Sequence, residues 1–486
     1  MQFLDIAVIL VYLIGVIWAG LSSRGKEGDS DDYFTAKGGF AGKLGIVMVG
    51  LSMAATLFSG ISFVIYTSTA YTDGARIAVA VLGLPVSWLV LRFWFLPRYL
   101  AGSGTHPYDI IERRLGREVR LCVSAMFILL RIGWMAVMLV APTLVLMGAA
   151  GLGSEWFWPI VILTGATCTL YTAIGGIRSV IVTDAIQFLV MGVGILFIIG
   201  FILVKVGLPV GDMFDQLQQS GRLNLWDFSF DPKESFTFWG VFFGLTAANL
   251  GSYMGDLMML QRYLAAESPR AAARAFAINM WGVILVIIAL VTTGLLLWVW
   301  YNNHPDPNLP AKTDHVLAYF IAQELPAGVS GLLIACILAA TMSSMTSGII
   351  ALSGTLTNDW VQRFGRVRTQ VELIRFGRIS SVVIGLVAIL AAGAASKAGT
   401  LFQISQAVLG GFLGPMLACM TIVAAGWKFR PRAVLAGMAL GTLTGWIIAF
   451  SPIAVVWVAG GSAVVTLAVP LLAGRVAASP ATTHKR

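Results

Sequence analysis

The feature that most constrains this chain is the recurrence of unbroken apolar runs about twenty residues long, the length that carries an α-helix across a bilayer. They lie near 3–22, 44–70, 76–97, 120–150, 156–174, 180–206, 236–260, 274–302, 327–357, 376–396, 401–426, 432–451 and 453–474. The runs are continuous and do not alternate over segments of ~10 residues, so they predict helices, which satisfy their own backbone in lipid, and not a barrel. Composition agrees: of 486 residues, 58% are apolar and 11% charged, against roughly 25% charged in soluble domains. The expected fold class is an all-α polytopic membrane protein with 13 transmembrane helices. The first run carries Asp5, lacks a basic leader and is followed by Arg24 and Lys26, which reads as a retained span and not a cleaved signal peptide.

The net charge of +9 sets an orientation. With the N-terminus outside, most of the 32 Lys and Arg fall in cytoplasmic loops or the tail, including Arg113, Arg114, Arg117 and Arg120, and Arg363, Arg366, Arg368, Arg375 and Arg378. Arg76, Lys205, Arg222, Lys233, Lys312 and Lys397 fall outside, and Arg92 and Arg131 lie in spans. This positive-inside asymmetry predicts a multi-pass protein of a bacterial inner membrane, C-terminus in the cytoplasm. The lipid bilayer is then its surroundings; neither nucleic acid nor an obligatory protein partner is implied. Cys122, Cys168, Cys336 and Cys419 are scattered singly and read as small core residues. His106, His304, His315 and His484 lie in loops or the tail, which argues against intramembrane haem ligation. There is no Walker-type phosphate loop, so the chain itself does not spend ATP. No catalytic set assembles near mid-membrane, so an enzyme is not expected.

Polarity inside the spans is where chemistry must sit. Asp184 lies a little inside the sixth run, where it either binds a cation, a proton or a partner, or caps a helix start. In the ninth run Ala340, Ser343, Ser344 and Ser347 follow i, i+3, i+4, i+7 and share one helical face. Their hydroxyl oxygens are hard ligands suited to Na⁺; small residues at this spacing also let helices pack closely. The second run is interrupted at Leu51–Phe63 by glycine and hydroxyl residues, which predicts an unwound helix with free carbonyls. The seventh run, with Gly251 and Gly255, is interrupted in the corresponding place of a second half. Hydropathy thus divides the chain into a first helix and loop (1–43), a five-helix repeat (44–206), an extracytoplasmic loop (207–235), a second five-helix repeat (236–426) and two last helices with a tail (427–486).

Residues Tyr171-Thr172, Gly175-Gly176, Val180, Thr183-Asp184 and Gln187, then Gln261-Arg262-Tyr263-Leu264-Ala265-Ala266, then Ser343-Ser344, then Gly410-Gly411 with Gly414-Pro415, occur in an order that resembles the sodium:solute symporter family. The resemblance implies a leucine-transporter-like core of two inverted five-helix repeats and Na⁺ as coupling ion. It implies a sodium site built from the carbonyls of Ala55, Phe58 and Ala340 and the hydroxyls of Ser343 and Ser344. It further implies a possible second sodium site at Asp184, Ser343, Thr346 and Ser347, so one or two ions per cycle. The sialic-acid members grip a carboxylate with an arginine where this chain has Trp134, and use a glutamine where it has Val81. Arg131, one turn earlier, either meets an anionic solute, snorkels or pairs structurally. Ser59, Ser62, Asn249, Tyr253, Gln403 and Gln406 are further candidates for contact with a small-molecule solute, a sugar, carboxylate or related metabolite. A proton-coupled carrier using Asp184 and a sodium-permeable channel are the alternatives.

Overall fold

The computed structural model describes residues 2–25, 29–102, 104, 106–365, 369–396 and 401–474, with the side chains at 141, 149, 401–407 and 409 outside that description. Gln403 and Gln406 are therefore outside it, as are His484 and the rest of the tail. The described chain is helical almost throughout, apart from one isolated backbone bridge between Phe40 and Ala266.

Its principal helices are α1 (Phe3–Ser22), α2 (Gly42–Leu57), α3 (Gly60–Asp73), α4 (Gly83–Val90), α5 (Arg117–Ala150), α6 (Phe157–Val206), α7 (Leu245–Gly255), α8 (Leu257–Ala265), α9 (Pro269–Asn303), α10 (Val329–Thr355), α11 (Gln370–Ala395), α12 (Leu401–Ala425), α13 (Pro431–Ala449) and α14 (Val458–Leu472). Among the described residues, nine helical stretches are long and apolar enough to cross a membrane. Two of them, Gly60–Gly102 and Ser154–Val206, run to 43 and 53 residues. At 1.5 Å per residue each is about twice the hydrocarbon thickness, so each has the length for two crossings. The expected loops at 207–235 and 303–326 carry short helices, Val210–Gln219 and Val316–Glu324.

Sequence signals at the helix ends explain the boundaries. Ser268 caps α9, accepting from the Ala271 amide at 3.1 Å, with Pro269 in the first position where its missing N–H costs nothing. Thr369 and Glu372 form a capping box at the start of α11. Sequence reading placed separate spans at 156–174 and 180–206, and the backbone agrees: within the stretch labelled α6, Gly176 is non-helical and divides two helices at a kink. There φ is 65° and ψ is −166°, a conformation that excludes a Cβ, and an added methyl would meet Tyr33 at 2.8 Å.

The helices sort by what they face. α1 and α6 present large apolar side chains outward, among them Val11, Ile14, Trp18, Leu189 and Leu196, as lipid contact requires. α10 is the opposite: the whole of its apolar window is buried, and it packs against α1, α2, α5 and α6. Asp5 anchors α1 to the start of α10, its carboxylate accepting from the amides of Gly328 (2.7 Å) and Gly331 (3.0 Å) and the hydroxyl of Ser330 (2.6 Å). The three cysteines Cys168, Cys336 and Cys419 are buried and unpaired, as small core residues should be; Cys122 is half-buried.

Candidate functional site

Two interrupted helices meet in the middle of the molecule. The first interruption separates α2 from α3 at Phe58 and Ser59, which are extended, with φ/ψ of −91°/114° and −109°/171°. Gly60 opens α3 against α10, where any Cβ would collide with the Thr341 hydroxyl, so the close approach needs glycine. Unwinding leaves carbonyls at the end of α2 without helical partners. Hydroxyls of α10 meet them: Ser343 Oγ donates to the Ala55 carbonyl at 3.0 Å, and Ser344 Oγ to the Thr56 carbonyl at 3.0 Å and the Phe58 carbonyl at 3.4 Å. Ser343 Oγ also lies 3.0 Å from the Ala340 carbonyl. The structure thus brings together Ala55, Phe58, Ala340, Ser343 and Ser344, the set that sequence reading nominated for the first ion. All are neutral oxygen donors, the ligand type that suits a hard alkali cation.

Beside them lies a cluster that sequence reading grouped only in part. Asp184 on α6 and Arg262 on α8 form a fully buried ion pair at 2.7 Å. The same carboxylate oxygen accepts from Ser52 (2.8 Å), Thr56 (3.3 Å) and Ser347 (3.1 Å). Arg262 donates in turn to Ser52 (2.8 Å), Ser347 (2.5 Å) and the Met258 carbonyl (2.8 Å). Thr346, expected with Asp184, instead turns its hydroxyl to the carbonyls of Met342 (3.0 Å) and Ser343 (3.1 Å) of its own helix. The cation beside Asp184 here is therefore the chain's own guanidinium. Arg262 stood in a recognised motif with no role attached; the sequence signal that could have found it is that a buried carboxylate demands a buried cation.

The second interruption separates α7 from α8 at Asp256, extended at φ −78°, ψ 125°. Sequence reading expected it at Gly251 and Gly255, one residue short. Asp256 caps α8, accepting from the Met258 amide at 2.9 Å, and forms an ion pair with Arg131 of α5; both side chains are at least nine-tenths buried. Arg131 thus has a structural partner.

Between the two interruptions lies a cavity of about 160 Å³. Thr56 and Phe58 from the first break line it, with Ser62 and Tyr66 of α3, Arg131 and Trp134 of α5, and Asn249, Ser252 and Tyr253 of α7. Ile61, Ile65, Ile77, Val283, Ile287 and Leu413 supply apolar wall. Of the nominated solute contacts, Ser62, Arg131, Trp134, Asn249 and Tyr253 face this space. Ser59 is buried nearby, outside the lining. The Ser62 hydroxyl accepts from the Ser59 amide at 3.3 Å, and the Tyr253 hydroxyl accepts from Asn279 at 3.2 Å. Tyr66 and Ser252 were missed, since nothing local distinguishes them from other hydroxyls on apolar helices.

Residues 33–445 match the sodium:solute symporter family. The human sodium/iodide cotransporter is 29% identical over 454 residues, covering 91% of this chain and 68% of its own length. The sodium/sialic acid symporter NanT of Aliivibrio fischeri is 28% identical over 431 residues, covering 85% and 81%. The chain therefore spans about two thirds of the human relative's length. Among solved structures, a Na⁺-coupled sialic acid symporter in its substrate-bound outward-open state superposes with a TM-score of 0.88 at 24% identity, covering 97% of both chains. The expected leucine-transporter-like, all-helical fold is the fold of that neighbour.

Proposed function

The chain belongs to the sodium:solute symporter family, and from that premise we propose that it imports a small organic solute, coupled to sodium, by alternating access. The observation that carries this reading is the meeting of α10 hydroxyls with the carbonyls freed at the α2–α3 break. A sodium ion there is held by Ala55, Phe58 and Ala340 through their carbonyls and by Ser343 and Ser344 through their hydroxyls. Binding it ties the broken helix to α10, and the cavity wall formed by Thr56 and Phe58 is ordered by the same event. Sodium therefore favours the arrangement that takes solute, and by linkage solute tightens sodium equally.

The two breaks open corresponding elements, so residues 44–206 and 236–426 are read as the two five-helix repeats, and thirteen crossings follow. Basic loops place the N-terminus outside and the C-terminus in the cytoplasm of a bacterial inner membrane. One sodium per cycle is the stoichiometry favoured by the Arg262 guanidinium beside Asp184. A second ion at Asp184, Ser343, Thr346 and Ser347 requires that guanidinium to withdraw.

The test is uptake into proteoliposomes with an inward Na⁺ gradient against choline at fixed pH, using a panel of sugars, amino acids and organic acids. Accumulation in Na⁺ alone, with a Hill coefficient for sodium near one, is the expected result. Uptake that follows a proton gradient without Na⁺ would replace sodium by a proton at Asp184. Sodium current without any solute would make the chain a channel.

A further inference from the structure

We propose that the turns at 113–117 and 428–432 together form a binding site for one anionic phospholipid, its phosphate held among their basic side chains and an acyl chain lying along α13. The inference needs the chain to span a bilayer and is independent of sodium coupling.

The two turns are far apart in sequence and adjacent in space. α5 begins at Arg117 and α13 at Pro431. A methyl on Gly116 would lie 3.8 Å from the Pro431 ring, and one on Gly426 would lie 3.6 Å from the Arg114 guanidinium. Six cations, Arg113, Arg114, Arg117, Lys428, Arg430 and Arg432, therefore gather at one place, and all six are exposed.

Other basic groups on the same side are neutralised within the protein. Arg120 pairs with Glu112 at 3.0 Å and with Asp359 at 2.5 Å. Arg363 pairs with Glu112 at 2.5 Å, and Arg178 with Asp32 at 2.6 Å. Among the described residues, none of the six has a carboxylate partner. Arg113 reaches only the Gly102 carbonyl, at 3.5 Å, and Arg117 lies over the Phe364 ring. Glu118, also exposed, is the acid of the same turn, so positive charge remains in large excess. Like charges crowded beside a low-dielectric bilayer repel one another, and a bound anion relieves that repulsion. Both helices start here, so the positive ends of their dipoles add to the same field.

A lipid fits this place better than a soluble phosphate because apolar surface continues directly from the cations. Arg432, Ala436, Leu440, Leu443 and Ile447 follow i, i+4, i+8, i+11 and i+15, which is one face of α13, and all five are exposed. The opposite face, at Gly437, Gly441 and Gly445, is buried, with Gly437 and Gly441 set against Thr466 of α14. From Arg432 to Ile447 the exposed face runs about 22 Å at the helical rise, which exceeds the roughly 15 Å of hydrocarbon in one leaflet. Cations above an apolar strip of acyl length match a phospholipid end to end.

The experiment titrates the purified full chain in phosphatidylcholine–detergent micelles with dioleoylphosphatidylglycerol and counts bound lipid by native mass spectrometry. Inorganic phosphate and glycerol phosphate serve as headgroup probes without a chain. The expected result is one saturable phosphatidylglycerol, bound at least about tenfold more tightly than dioleoylphosphatidylcholine and not displaced by either soluble phosphate at equal concentration. The triple variant Arg114→Gln/Arg430→Gln/Arg432→Gln is expected to weaken that binding at least about tenfold, since each cation beside an anionic lipid contributes roughly fivefold. The single variants Arg430→Gln and Arg432→Gln, each expected to lose about fivefold, carry the same test if the triple variant does not fold. A control, Arg270→Gln/Arg274→Gln/Arg375→Gln, removes equal charge from exposed positions elsewhere on that side and is expected to keep the lipid. Equal loss in the two triple variants overturns the site, because the attraction then belongs to the basic side as a whole. Displacement by a soluble phosphate as readily as by lipid overturns the acyl contact and with it the lipid. Phosphatidylcholine bound as tightly overturns the need for negative charge.

Discussion

The two helix breaks solve the same problem with different chemistry. At the α2–α3 break, freed carbonyls are met by the neutral hydroxyls of Ser343 and Ser344; at the α7–α8 break, Asp256 is pinned to Arg131 by charge. A hydroxyl that donates to a carbonyl can rotate and present its own lone pairs to an ion, so the first break is exchangeable. A buried ion pair has no such freedom, because separating it leaves a charge with no partner. One break is made to open its bonds to a ligand, the other to hold its shape while that happens.

The largest effect that would test this contrast is on the pinned side. Asp256→Ala leaves Arg131 buried without a counter-ion and should destabilise the protein by about 3–5 kcal/mol, seen as a clear fall in the thermal unfolding midpoint in detergent. An unchanged midpoint would mean that this break is not held by charge. Next comes the exchangeable side. Ser343→Ala should leave folding nearly intact but weaken sodium activation by about 1.5–3 kcal/mol, roughly 10–100-fold in the half-saturating concentration. Solute recognition at saturating sodium should move far less; an equal loss in both would remove Ser343 from the ion's ligands. The smallest effect is expected for Ser344→Ala. Its contact with Phe58 is longer, at 3.4 Å, so a loss of about 1 kcal/mol, roughly fivefold in sodium activation, is predicted. A loss larger than that of Ser343→Ala would reverse the ranking of the two hydroxyls.

Much of the fold was legible because lipid imposes its pattern locally. Apolar run length marks where helices lie, and glycine with serine and threonine marks where the first one breaks. The nominated oxygens around Ser343 also came together, since the i, i+3, i+4, i+7 face of α10 is a property of one helix. What escaped was everything that depends on a partner far along the chain. Arg131 could be a solute ligand or a structural partner until Asp256 was found against it, and Asp184 was matched to a possible second sodium until Arg262 was found beside it. Neither pair has a signature within one helical turn. The division of α6 was legible as well: Gly175-Gly176 reads as a stop, and Gly176, at positive φ and non-helical, separates two helices there.

That α10 is enclosed along its whole apolar window has a consequence for how such proteins carry polarity at all. Its neighbours, and not lipid tails, are its solvent, so it escapes the demand for greasy surface that shapes every outward helix. Serines and threonines can accumulate on it, and its mean hydropathy of 1.8 falls below the 2.7 of the two stretches built on α6 and α9. In a chain that lives in oil, the fully enclosed span is the one sheltered enough to do chemistry.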